Sequence, residues 1–303
     1  MLAIVIPYYK IDFFNETLGC LASQTNKQFH VYIGNDASPT DPSSLLDSYK
    51  DTIKFTYIKF NSNLGGQSLV RQWERCIAMA KNEEWLMVLG DDDTVSSNFV
   101  AEFYNNLKEI NTHNIGVVRY ATHVINEKNE VTSKLYKHPK LEIATDFLYR
   151  KLKGETRSTL SEYIFKKKLV GNIKFKELPL AWFSDLLAVM EFSEFNTIYT
   201  INNAISNFRD SGKNITSRTN DYAIKANATF NFYYYMLKNH YSKMPKKLDD
   251  LIFDRIEKTF FDNKKNIMYW FKLMYLYIIR CKIKRIVFLM PKIMTYKLTH
   301  KYK

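Results

Sequence analysis

The sequence predicts an α/β protein: a mostly parallel sheet flanked by helices, followed by a helical and basic C-terminal extension. Three observations carry that reading. Short apolar, β-branched runs alternate with helix-period stretches through the first hundred residues. Polar clusters containing Gly, Asn and Asp follow the ends of two of those runs. Hydrophobic residues make up 46% of the 303, enough to build a sizeable core.

The elements follow in order. Residues 2–6 are apolar and end at Pro7, the pattern of a buried strand. Residues 12–23 place Phe14, Leu18 and Leu21 at helical spacing. A second strand, 31–33, is closed by Gly34-Asn35-Asp36, and a third spans 55–58. Residues 65–80 are helical, with Leu69, Trp73, Ile77 and Ala80 on one side. A fourth strand, 85–89, is closed by Gly90-Asp91-Asp92-Asp93. This βαβαβαβ order predicts parallel pairing, and ligands of such sheets sit beyond the carboxyl ends of the strands. Both polar clusters should therefore face one crevice. Strands are favoured again over 115–139 (Val117, Val118, Tyr120, Val124, Ile125), and the pattern is mixed up to 217. After Arg218 it turns helical, over 221–239 and 246–262. The expected organisation is an α/β body over 1–218, divided into 1–110 and 111–218, and a helical region over 219–303.

Charge separates the same two regions. The chain carries 44 Lys or Arg against 31 Asp or Glu, a net +13, yet residues 263–303 hold eleven basic residues and no acid. The first 262 residues are thus close to neutral. Lys265, Lys272 and Arg280 share one helical face, while Trp270, Phe271, Met274 and Ile278 fall largely elsewhere. A second apolar segment, 286–290, lies between Arg285 and Lys292. This predicts interfacial helices on an anionic membrane surface, each basic residue contributing about 1 kcal/mol. The other reading is a helical pair packed on the body with a solvated basic face. No apolar run reaches the roughly 18 residues of a spanning helix, since 267–290 is interrupted by five basic residues. No nucleic-acid-binding motif is present, so no nucleic-acid partner is expected. Cys20, Cys76 and Cys281 form no CxxC pair, and the opening MLAIVIPYYK lacks a signal-peptide pattern. The expected location is cytoplasmic, peripheral on the inner face of the membrane.

Several clusters suit chemistry. Three adjacent carboxylates, Asp91, Asp92 and Asp93, repel one another unless a cation or donors neutralise them. A hard divalent ion such as Mg²⁺ or Mn²⁺ fits them. So does a solvated acidic turn capping the next helix. Asp36 at its strand end suits either a base N–H or a turn. Tyr8 and Tyr9 stand at the mouth of the first strand, where a ring can stack on a flat base or simply pack. Asn63-Leu64-Gly65-Gly66-Gln67 leads into a helix containing Arg71, placed to reach toward a diphosphate or an acidic turn. Asp185 sits in apolar surroundings, where burial raises a carboxyl toward general-base range; a carboxylate satisfied at a helix start reads equally well. No GxGxxG, Walker A, HExxH or GxSxG motif occurs, and the six His are scattered.

Together these segments resemble family 2 glycosyltransferases of the GT-A fold. The matching runs are IVIPYYK, LASQTNKQFHVYIGNDASPTD, NLGGQSLVRQ and EWLMVLGDDDTVSSNF, with a looser match through WFSDLLAVMEFS and NFRDSGKNITS. The resemblance implies inverting transfer of one sugar from a nucleotide-sugar, usually UDP-linked, with a divalent cation. It implies that residues 1–110 bind the nucleotide-sugar and 111–218 the acceptor, a lipid-linked or surface glycan such as a lipopolysaccharide or capsule. By position, Pro7, Tyr8, Tyr9 and Asp36 would surround the base. Arg71, Asp91 and Asp92 would support the nucleotide, Asp93 would ligate the metal, and Asp185 would deprotonate the acceptor, with Glu191 a weaker substitute. Gly90, Gln72 and Lys10 depart from the family pattern at the acidic run, after the Arg and after the Tyr. The QxxRW signature of processive synthases is absent. The alternatives are an inactive scaffold of the same fold in a glycan-assembly complex, or a sugar-phosphate nucleotidyltransferase.

Overall fold

A computed structural model describes residues 1–212, 214–262, 266–287 and 289. They form two compact units: 1–177 with 184–219, and 178–183 with the chain from 220 onward.

The first unit opens with strand β1 (Leu2–Tyr8), helix α1 (Phe14–Ala22), β2 (Phe29–Asn35), α2 (Ser43–Asp47), β3 (Phe55–Lys59), α3 (Leu69–Ile77) and β4 (Trp85–Val88). β5 (Thr94–Val95), α4 (Phe99–Thr112), β6 (Val117–Ile125), β7 (Leu141–Ile143), α5 (Ala144–Lys153), β8 (Tyr163–Lys166), α6 (Lys167–Ile173), α7 (Ser184–Phe192) and β9 (Thr197–Arg209) follow. One sheet runs in the order β3-β2-β1-β4-β8-β6-β9-β5, with β7 pairing β9. β1 is flanked in parallel by β2 and β4, so the strand order reverses around it. That reversal is the switch point at which α/β sheets open a crevice. Burial explains the strands: Leu2, Ala3, Ile4, Val5 and Ile6 are all fully covered, because helices pack on both faces. Leu2, Ile4 and Ile6 meet Phe14, Leu18 and Leu21 of α1 in one core cluster.

Two differences from the sequence pattern have physical reasons. β1 continues through Pro7 to Tyr8, because its pairing with β4 ends at Val5 and Pro7 faces a ladder on the β2 side only. The sheet is parallel only in its first half. β8 runs antiparallel to both β4 and β6, and β9 is parallel to β6 but antiparallel to β5 and β7. A register shift between Tyr120 and Ala121 lets β9 extend to Arg209, beside the acidic cluster.

The second unit holds α8 (Tyr222–Asn239), α9 (Lys246–Asp262) and α10 (Ile267–Ile279). Its interior is aromatic: Phe230 stacks on Tyr269 at 3.8 Å, and Phe183 stacks on Phe232 at 4.8 Å. Here the expected face is reversed. Lys272 reaches Asn231 and Arg280 caps the end of α8 at the carbonyls of Leu237 and Lys238. Lys282 pairs with Asp249 (2.6 Å) and Arg285 with Asp254 and Glu257 (2.8 Å each). Lys282 and Arg285 turn inward because the acids that pair with them stand on α9, and Lys272 and Arg280 because polar groups of α8 accept from them. Lys265 and residues 290–303 lie outside the described residues. No described helix is long and apolar enough to cross a membrane.

Candidate active site

The carboxyl ends of β1, β2 and β4 are stapled together by hydrogen bonds from backbone amides and one serine hydroxyl. The Asp36 amide donates to the Tyr8 carbonyl (3.0 Å), and the Ser38 hydroxyl donates to the Tyr9 carbonyl (2.6 Å). The Tyr9 and Lys10 amides both donate to Asp91 Oδ2, at 2.7 Å each. Residues 9, 36 and 91–93 are therefore gathered at one end of the sheet, at the switch point.

Asp36 is buried and organises the segment before α3. Its carboxylate accepts the amides of Leu64 (2.7 Å) and Gly65 (2.8 Å) and the Arg75 guanidinium (2.6 Å). Gly65 is obligatory at this approach, since a Cβ there would lie 2.5 Å from Asp36 Oδ2. Arg75 also stacks over the Phe60 ring at 3.8 Å. Gln72, one of the departures from the family pattern, is buried and donates to the Gly34 carbonyl at 3.1 Å. It holds the end of β2 in place.

The acidic cluster has an internal logic. Asp93 is buried; its Oδ1 accepts the Arg209 amide (2.8 Å) and its Oδ2 accepts the Ser161 hydroxyl (2.5 Å). The Arg209 side chain, fully buried, donates to the Asp92 carbonyl at 2.8 Å and pairs with Glu16. Burial, and then the charge of Asp92, push the carboxyls of Asp91 and Asp93 up to about 7. Burial also raises Asp92, against the pull of Lys10 and Arg209. A Cβ at Gly90 would sit 3.0 Å from both Asp92 Oδ1 and Asp93 Oδ2. Glycine at this departure thus keeps open a small cradle flanked by two carboxylate oxygens. That donor set fits a hard divalent cation, which removes the repulsion and desolvation that raise the two carboxyls. Among the described residues no group of three His, Cys, Asp or Glu is set to hold a metal by itself. The protein offers two carboxylates here rather than a closed cage.

Asp185 stands in the first turn of α7, half-buried. Burial raises its carboxyl, while the Leu186 amide and the charges of Lys151 and Arg157 lower it. The charge of Arg157 also lowers Asp93 and Glu162, most prominently the fully buried Glu162, so one guanidinium acts on all three carboxyls.

The remaining predicted residues separate. Pro7 is half-buried on the last pairs of β1 with β2. Tyr9 is 39% exposed, but Tyr8 is fully covered, packs on Phe14 at 4.6 Å and donates its hydroxyl to the Thr40 carbonyl. Tyr8 is therefore a core residue with no ring face open to a base; strand alternation sends the two tyrosines to opposite sides. Arg71 points away, to an exposed contact with Glu177 at 3.5 Å, and Arg75, one turn later, is the arginine that meets Asp36. Sequence reasoning missed Arg75, Arg157, Ser161, Glu162 and Arg209 as parts of this site. The i+4 spacing from Arg71 was the signal for Arg75. Nothing local marks the others, which arrive by the pairing of β8 and β9.

Comparison with known proteins agrees with this fold. Solved structures of S. aureus TarS share the fold. Its 1–349 fragment with UDP-GlcNAc aligns at TM-score 0.63 and 14% identity, covering 91% of this chain and 79% of that one. The same fragment with UDP gives 0.60 and 13%, covering 86% and 71%. The chain covers 43% of a longer TarS structure. No curated protein matches. The model of glycosyl transferase family 2 matches residues 3–168, and with the GT-A arrangement of the sheet around β1, this chain belongs to that family.

Proposed function

We propose that the protein transfers a single sugar from a nucleotide-sugar, UDP-linked, to a hydroxyl of a glycan acceptor carried on a lipid or cell surface, with inversion. The observation that carries this reading is the gathering of Tyr9, Asp36 and Asp91–Asp93 at the carboxyl ends of three adjacent parallel strands. The UDP and UDP-GlcNAc bound by the TarS structures support the choice of donor. Tyr9 offers an exposed ring for stacking beside the base, and Asp36 shapes the loop at 64–65 on which the base rests. Asp93 with Asp92 would hold a divalent cation, which supplies charge stabilisation for the departing diphosphate. Asp185 takes the proton from the acceptor hydroxyl. That oxygen then bonds to the anomeric carbon as the bond to the diphosphate oxygen breaks. Partial burial suits Asp185 to this role, because it raises the proton affinity of the base.

The test combines binding and turnover. UDP with Mn²⁺ at about 100-fold over its dissociation constant should stabilise the protein by about 2.7 kcal/mol, read as a higher melting temperature. Asp93→Ala should lose the metal-dependent part of that gain. Asp185→Asn should keep the gain and lose transfer by about 10²-fold or more. Full activity in Asp185→Asn removes it as base. No shift with any nucleotide points to an inactive scaffold.

A further inference from the structure

The outer face of the C-terminal helices is apolar in a regular pattern. Met268, Phe271, Tyr275 and Ile278 of α10 are 57%, 64%, 45% and 66% exposed. The spacing of three and four residues places them on one stripe. After the turn at Cys281, the helical residues 283–287 add two more exposed apolar side chains, Ile283 and Val287, at 67% and 66%. The stripe is not a core that failed to close, because the opposite side of α10 is already packed. Tyr269, Leu273, Leu276 and Tyr277 are buried there, and Tyr277 donates to Glu257 at 2.9 Å. A continuous exposed apolar face of this kind marks a contact surface.

Charge selects the occupant. Lys272, Arg280, Lys282 and Arg285 are consumed inside the helical unit, by Asn231, the end of α8 and the acids of α9. The other seven basic residues of 263–303 are Lys264, Lys265, Lys284, Lys292, Lys297, Lys301 and Lys303, and no acid accompanies them in sequence. A second copy carries the same excess of positive charge in this region, so like charge opposes its docking. An anionic bilayer surface instead meets both features at once: apolar and aromatic side chains enter the headgroup boundary, and a region rich in lysine and lacking acids is drawn to lipid phosphates. We infer that the α10 stripe of Met268, Phe271, Tyr275 and Ile278 is the face by which this protein lies on an anionic membrane, with apolar insertion rather than a basic helical face making the contact. This inference does not depend on the sugar-transfer reading.

The experiment uses the full chain and vesicles of phosphatidylcholine with or without phosphatidylglycerol, in a co-sedimentation assay. The protein should bind the anionic vesicles, and the double variant Phe271→Ser, Ile278→Ser should bind about tenfold more weakly or worse. Both positions are exposed, so the variant should keep its melting temperature and its response to UDP. Undiminished vesicle binding by the variant overturns the inference. So does a native protein that sediments as a dimer, turns monomeric in the variant and ignores vesicles; that result assigns the stripe to self-association. Replacing Lys284 by Gln should weaken binding less than the double variant does; a larger loss would return the contact to charge alone.

Discussion

At the scale of single residues, the site turns on which of two arginines reaches a buried carboxylate. Arg71 and Arg75 lie one turn apart on α3. Arg71 is two-thirds exposed and meets an exposed Glu177. A pair of that kind contributes little. Arg75 closes on Asp36, whose side chain is only 5% exposed. Removing one partner of a buried pair leaves the other charge without its counterion. Arg75→Ala should therefore destabilise the fold by about 3 kcal/mol and loosen the 64–65 loop, whereas Arg71→Ala should stay within about 0.5 kcal/mol of the native protein. Urea midpoints of the two variants check this, and equal losses would show that α3 docks by packing alone. Tyr8 and Tyr9 make the same point: adjacent and chemically identical, they differ because one faces the core and the other does not.

At the scale of elements, close approach is what makes the site. β2 lies so near α3 that a Cβ on Gly34 would stand 2.3 Å from Cys76 Sγ and 2.9 Å from the Phe60 ring. Gly34→Ala should cost about 3 kcal/mol through overpacking. Adding Cys76→Ala should recover part of that loss, because the nearest clash is with the sulfur. A double-mutant cycle by chemical denaturation measures the coupling; strict additivity would mean that the strand shifts away from the helix instead. α10 illustrates the converse case. Its Lys272, and the Arg280 that follows it, read as an outward face only while α8 is ignored; once Asn231 and the Leu237 and Lys238 carbonyls stand beside them, hydrogen bonding holds both inward and the apolar side is left outside.

At the scale of the whole molecule, a buried carboxyl sets a pH dependence. Glu162 is fully covered, and burial pushes it up from its ordinary value to about 7, against the pull of Arg157, Thr122 and Arg119. A carboxyl raised on folding binds its proton more tightly in the native state. Its contribution is complete below about pH 4.5 and is lost as the pH rises through about 7. Glu162→Gln removes the ionisation, so the variant should gain on the native protein as the pH rises above about 4.5, by up to about 3 kcal/mol once it is above about 7. Melting temperatures across this range read the gap; a constant difference would mean that Glu162 keeps the same charge in the folded and unfolded states. What the sequence by itself determined is the local order: strands at 2–6, 31–33, 55–58 and 85–89, the helices between them, and the acidic and Gly-rich segments at their ends. Those are legible because hydrophobic period and strand-end chemistry are properties of neighbouring residues. Only the tertiary structure decided that the turn before β8 and the end of β9 bring Ser161 and Arg209 onto Asp93, that Arg75 rather than Arg71 meets Asp36, and that Lys272 and Arg280 turn inward onto α8. Each of those outcomes depends on a partner far along the chain, and burial and counterion pairing exist only once that partner is in place.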